Sequence, residues 1–110
     1  MRIDIKPLSV NRAWKGRRFK TIEYKKYERD LLLLLKPMKV PHGNLELVIE
    51  FGLSNMLSDF DNPVKPFVDV LQKKYGFNDR QIQQAHIRKV LTEKRREYIK
   101  FELNSLADNK

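Results

Sequence analysis

From Leu45 to Phe51 every second residue is strongly apolar. Leu45, Leu47, Ile49 and Phe51 project one way, and Glu46, Val48 and Glu50 project the other. A segment with period two is a strand with one buried face, and that face needs a cover. Two stretches are patterned to provide it. Thr21 is placed to N-cap a helix running to about Leu35, with Glu23 in its first turn where the helix dipole favours an acid. Asn62-Pro63 reads as an N-cap and N1 proline opening a second helix to about Tyr75. Val64, Phe67, Val68 and Leu71 give that helix an apolar face, Pro66 falls in its first turn, and Gly76 is its stop.

The remaining chain reads around these elements. Met1–Ile5 alternates as a short strand, and Lys6–Lys20 is a loop broken by Pro7, Ser9, Asn11 and Gly16. Pro37, Pro41 and Gly43 form the turn before Leu45. Ala85–Thr92 and Glu97–Leu103 read as strands joined by the charged turn Glu93–Arg96, expected as a hairpin. One helical turn is expected after Asp79, and a frayed tail over 104–110. The expected fold is α+β: one domain over residues 1–110, a mixed sheet packed by two main helices, in the order β-α-β-α-β-β.

Leu31–Leu35 is a run of five leucines. On a helix such a run covers all sides, so it is expected to be buried nearly all round, against the sheet or, as the preferred reading, in a dimer seam. It is also the longest strictly apolar run, so no membrane span is expected. Met1–Ile5 lacks a signal-peptide core, and the chain has no cysteine. Both point to the cytoplasm and away from thiolate zinc sites.

Charge is unevenly placed. Residues 1–44 carry 12 basic and 4 acidic side chains, whereas residues 45–110 carry 11 and 10. The amino-terminal part is therefore cationic, and a phosphate backbone is the default partner for such a surface. Trp14 in the basic loop serves equally well as a base-stacking group or a packing anchor. Tyr24 and Tyr27 lie beside Lys25, Lys26 and Arg29, and at least one of them must pack. His42 and His86 are distant in sequence, so a zinc site is not expected. There is no glycine-rich phosphate loop, so no nucleotide cofactor is expected, and no Ser-His-Asp or Cys-His arrangement is visible.

The acids follow a different pattern. Asp59, Asp61, Asp69 and Asp79 fall within twenty-one residues. Asp59 and Asp61 are two apart, so on extended backbone both reach one point, which a hard cation would stabilise. Such a cation polarises a phosphodiester and activates water. The plainer reading is structural. Asp59 is then loop polarity, Asp61 caps the next helix, Asp79 caps the turn at Arg80, and Asp69 pairs with Lys65 or Lys73 along a helix.

The longer pattern separates these readings. Asp59-Phe60-Asp61-Asn62, Lys65, Asp69-Val70-Leu71, Gly76-Phe77, Asp79 and Gln81, with upstream Pro7-Leu8-Ser9-Val10-Asn11 and Trp14, resembles the RusA family of Holliday junction resolvases. The resemblance spans roughly residues 7–81. It implies that Asp59, Asp61 and Asp79 are catalytic carboxylates binding Mg²⁺, with Mn²⁺ as a substitute, and that Lys65 is the catalytic lysine. Asp69 and Asn62 would support the site, Asn62 by capping the helix.

The implied enzyme is a homodimer acting on four-way junction DNA in recombination and repair, in a bacterial or phage-infected cell. It would make paired symmetric nicks leaving 5′-phosphate and 3′-hydroxyl ends. Two departures stand out. Relatives often carry arginines where this chain has Asn55-Met56-Leu57-Ser58, which shifts expected DNA contact to Arg12, Lys15, Arg17, Arg18 and Lys20. Some relatives have two acids where this chain has Asn78-Asp79. The rival readings are a nuclease for flaps or forks, a non-enzymatic branched-DNA or single-strand DNA binding protein, and an interaction domain that binds no nucleic acid.

Overall fold

The computed structural model describes residues 1–15, 19–56 and 61–106, with Lys15 described for its backbone. Four strands form a mixed sheet in the order β1-β6-β4-β5: β1 Arg2–Ile3, β4 Leu45–Leu53, β5 Ile82–Leu91 and β6 Tyr98–Ser105. Helices α2 (Ile22–Leu34) and α3 (Val64–Tyr75) contribute to one core cluster with the apolar sides of β4 and β6. This is the expected α+β architecture. No helix among the described residues is long and apolar enough to cross a membrane.

The alternation of β4 does what its pattern requires. Leu45, Leu47, Ile49 and Phe51 are buried in the core, joined by Ile99, Phe101 and Leu103 from β6. Phe67 on α3 sits edge-on to Phe51 at 6.1 Å and to Phe101 at 5.4 Å, so one ring bridges two strands and a helix. Thr21 caps α2 by accepting the Tyr24 amide at 3.1 Å, and Gly76 closes α3 with φ +75°. The region read as a loop holds more structure than expected. A short helix α1 (Val10–Ala13) is capped by Ser9, and β2 (Trp14–Lys15) pairs with β3 (Phe19–Lys20).

β5 and β6 do not form a hairpin. β4 lies between them, parallel to β5 from Leu45↔Ile82 to Leu53↔Leu91 and antiparallel to β6. The helical crossover through α3 returns the chain to the starting end of β4, which makes β5 parallel to it. The segment after β5 then passes across the far end of β4, where the Thr92 amide donates to the Leu53 carbonyl at 2.7 Å. At the end of β6 the strand runs through Ser105, and the Leu106 amide donates to the Asn44 carbonyl, so residues 104–106 are held rather than frayed. Residues 107–110 lie outside the described residues.

The leucine run is likewise not enclosed on all sides in one chain. Leu31 and Leu35 are buried, whereas Leu33 is 80% exposed and Leu34 is exposed as well. Successive helical residues rotate by about 100°, so one core contact takes only one or two of them.

Candidate active site at the amino end of α3

The turn Asp61–Pro63 leads into α3, and the Val64 amide donates to the Asp61 carbonyl at 3.0 Å. Pro63, with φ −85° and ψ −3°, occupies the N-cap position, and no side chain caps the helix. Asn62 is therefore not the cap that the sequence suggested. The turn Asp61–Pro63, with the Val64 amide on the Asp61 carbonyl, stands where an Asx cap was expected. Asn62 acts instead through its backbone, where its carbonyl accepts the Val10 amide at 2.8 Å. That bond brings the Pro7–Asn11 segment onto the acidic turn, joining motifs some fifty residues apart.

Asp61 lies in the turn before α3, and Lys65 and Asp69 sit four residues apart on the helix. The Lys65 ammonium lies 3.4 Å from the Asp69 carboxylate. Asp69 also faces Tyr24. Burial, then the Asp69 and Glu28 charges, push the Tyr24 hydroxyl well above its ordinary range. Asp61 is exposed, and among the described residues its carboxylate has no side-chain partner. Asp59 lies outside the described residues.

Asp79 stands elsewhere. It begins a 3₁₀ turn, Asp79–Gln81, beyond the carboxyl end of α3. Its amide donates to Gln72 Oε1 at 2.8 Å, and Gln81 Nε2 donates to the Gly43 carbonyl at 2.9 Å. Asn78, not Asp79, caps this turn. The structure thus pairs Lys65 with Asp69 on α3, sets Asp61 in the turn at the amino end of that helix, and places Asp79 beyond its carboxyl end.

A family profile described as "Endodeoxyribonuclease RusA" matches residues 5–102. The chain belongs to the RusA family. It is a Holliday junction endodeoxyribonuclease of that family, and its role lies in recombination and repair. No curated protein matches the chain.

The cations read as DNA contacts in this RusA-family chain differ in their surroundings. Arg12 is exposed and lies 3.7 Å from Glu23. Lys20 is held at 3.0 Å by Glu28, which also takes Lys73 at 3.2 Å, so it helps join the β2–β3 ribbon to α2 and α3. Burial works to raise the Glu28 pKa, and the two lysines outweigh it, leaving the carboxyl below its ordinary value. Arg17 and Arg18 lie outside the described residues, as does the Lys15 side chain.

Trp14 packs edge-on against Tyr24 at 5.5 Å, the anchor reading of that residue. The aromatic that sequence reasoning passed over is Phe19, 71% exposed on the basic ribbon. Its signal was its place between Arg18 and Lys20. A cavity of about 600 Å³ lies between residues 5–9, α2 and the end of β4, lined by Lys6, Ser9, Arg12, Lys26, Asn55 and Pro63 among others. Lys6 and Lys26 both line this wall, although nothing in their local spacing ties them to the acidic turn.

Proposed function

We propose that this RusA-family chain cuts four-way junctions by Mg²⁺-dependent hydrolysis, as a homodimer making paired symmetric nicks. The observation that carries this reading is the Val10–Asn62 hydrogen bond, which sets the amino-terminal motif beside Asp61 and the start of α3. The donors suit a hard ion: Asp61 and Asp79 are exposed, the chain has no cysteine, and Asp61 is without a protein partner among the described residues.

Asp59 and Asp61 would hold Mg²⁺, and because Asp79 stands beyond the far end of α3 in the same chain, it would serve as third carboxylate only across the homodimer. The bound ion supplies a polarised phosphoryl oxygen and a water of lowered pKa. The chain's own groups do the rest. The amino end of α3 presents its dipole to the scissile phosphate. Lys65, held near the site by Asp69, turns toward the phosphate once DNA displaces that contact, and offsets charge as it grows there. Arg12, Lys15, Arg17, Arg18 and Lys20 supply the phosphate-binding surface.

The deciding experiment is cleavage of a synthetic four-way junction with Mg²⁺ beside a linear duplex of the same sequence, for wild type and Asp61→Asn. Symmetric nicks in the junction alone, lost in the variant, are expected. Binding without nicks by either protein would favour a branched-DNA binding protein instead.

A further inference from the structure

Metal binding and hydrolysis give no role to the cavity of about 600 Å³ beside the acidic turn. Its volume lies in the range of small-ligand pockets. Its walls come from residues 5–9, from α2 and from the end of β4. Ser9 and Pro63 both line it, and each adjoins one partner of the 2.8 Å bond between the Val10 amide and the Asn62 carbonyl. The cavity therefore opens within a residue of the amino end of α3. A DNA strand whose scissile phosphate sits at that end carries its neighbouring nucleotides over the opening.

The lining is chemically unlike the basic surface around it. Lys6, Arg12 and Lys26 face Glu23, Asp30 and Glu97, a balance of charge in a part of the chain where residues 1–44 carry 12 basic and 4 acidic side chains. Burial works to raise the Glu97 carboxyl, but hydrogen bonds from Ser54 and backbone amides, with the Lys6 charge, leave it below its ordinary value and ionised. Ile5, Leu8 and Leu53 add apolar wall. A phosphate gains little inside such a lining. A neutral, flat heterocycle with donors and acceptors on its edge fits it.

Tyr27 supplies the second observation. It lines the cavity, and its hydroxyl is buried with no hydrogen-bond partner, alone in this among the side-chain atoms of the described residues. Burial, with Tyr24 beside it, raises its pKa, so the hydroxyl keeps its proton and can donate. The ring is fixed in the core cluster, 6.4 Å from the Tyr24 ring. A buried polar group without a partner destabilises the free protein and calls for a ligand that satisfies it. We propose that the cavity receives one unpaired nucleotide of the junction strand, adjoining the scissile phosphate. The Tyr27 hydroxyl bonds the edge of its base, and the exposed Lys6, Arg12 and Lys26 take the flanking phosphates. Extruding a base costs least where stacking is already interrupted, as at a branch point, so the cavity favours junctions over linear duplex.

The inference rests on the nuclease reading of the amino end of α3, and base substitution in the substrate separates the two. The cut position is mapped with wild type on a synthetic four-way junction. Junctions carrying each of the four bases at each nucleotide flanking the cut are then nicked with Mg²⁺ by wild type and by Tyr27→Phe. At one flanking position the wild-type rates should differ by roughly 10-fold or more between best and worst base. Tyr27→Phe should reduce that ratio to roughly 3-fold or less, the loss of one hydrogen bond. Its junction affinity should hold, and it should unfold at no lower temperature, because the change removes an unpaired hydroxyl. Independently of any variant, wild type is irradiated with a junction bearing 4-thiothymidine at that position, Mg²⁺ being withheld to keep the strands whole. The cross-linked residue should be Tyr27 or a neighbour in the cavity wall.

Wild type that nicks junctions at equal rates whatever the flanking bases would overturn the nucleotide pocket and leave the nuclease reading intact. A base ratio unchanged in Tyr27→Phe would do the same, and a lower unfolding temperature beside it would make the hydroxyl a structural group. Cross-links confined to residues outside the cavity wall would also overturn the pocket. Wild type that nicks no junction would overturn both readings.

Discussion

The open face of the sheet and the amino end of α3 both carry carboxylates, under opposite conditions. On the sheet, Glu50 accepts the Tyr98 hydroxyl at 2.6 Å and pairs with Arg88 at 2.7 Å. Glu46 pairs with His86 at 3.2 Å and accepts from Asn104 at 3.2 Å. Arg2 lies over the Tyr98 ring at 4.1 Å. At α3, Asp61 has no such neighbours among the described residues, and the nearby Lys65 is directed to Asp69. An acid surrounded by its own protein's donors serves stability. One without them is available to a ligand.

The largest effect that sharpens this comparison is Asp61→Asn. Nicking should fall by roughly 100-fold or more. Folding stability should stay within about 0.5 kcal/mol in a urea titration, as for an uncoupled surface change. Junction affinity should be unchanged or tighter in a gel-shift assay. A clear loss of stability would make Asp61 a structural acid and break the contrast.

Next comes Gly52→Ala. An added methyl would collide with the Tyr98 ring, so Tyr98 must move and its bond to Glu50 with it. Thermal unfolding should show a loss of about 1–3 kcal/mol, with the nicking rate of the folded protein retained.

Glu50→Gln should cost about 1 kcal/mol at neutral pH, near the net worth of one hydrogen bond. The Tyr98 hydrogen bond is the largest cause holding the Glu50 carboxyl below its ordinary value of 4.5, with the Arg88 and Lys100 charges adding to it against burial. A carboxyl with a depressed folded pKa is protonated first in the unfolded state. Its stabilisation is complete above pH 4.5 and fades as pH falls through the lower folded value. The difference between wild type and Glu50→Gln in urea midpoint should therefore shrink on acidification. A gap constant with pH would place the cost in packing.

The smallest effect is the Lys65–Asp69 pair. A double-mutant cycle should give a coupling of about 0.3–0.5 kcal/mol, as for other exposed pairs one helical turn apart. A much larger fall in nicking for Lys65→Met than this coupling allows would locate the lysine at the substrate.

What was legible in the sequence was local. The alternation of Leu45–Phe51, the Thr21 cap and the Gly76 stop each depend on residues within a few positions, and each appears where expected. The order of strands was not local. A six-residue charged connection after Leu91 looks the same whether it makes a hairpin or passes over the end of a neighbour, and only the pairing of β4 on both sides decides it. The i,i+4 spacing of Lys65 and Asp69 reads directly as a pair on one helical face. The place of Asp79 does not, because its distance from Asp61 is set by the length of α3 and the direction of β5. The exposure of Leu33 was hidden for a similar reason: a homogeneous run does not say which of its members meets the core.

The central position of β4 bears on how the chain is made. When β4 leaves the ribosome, neither neighbour exists. β5 follows after α3, and β6 begins only at Tyr98. β1, made first, pairs with β6, made last, through Arg2↔Lys100 and Ile3↔Ile99. Pairings this distant in sequence delay the rewards of folding until most of the loop entropy has been lost. During synthesis β4 therefore has only β5 beside it until β6 is translated, and a nascent chain arrested before Tyr98 should hold the β4–β5 pair with the other edge of β4 open.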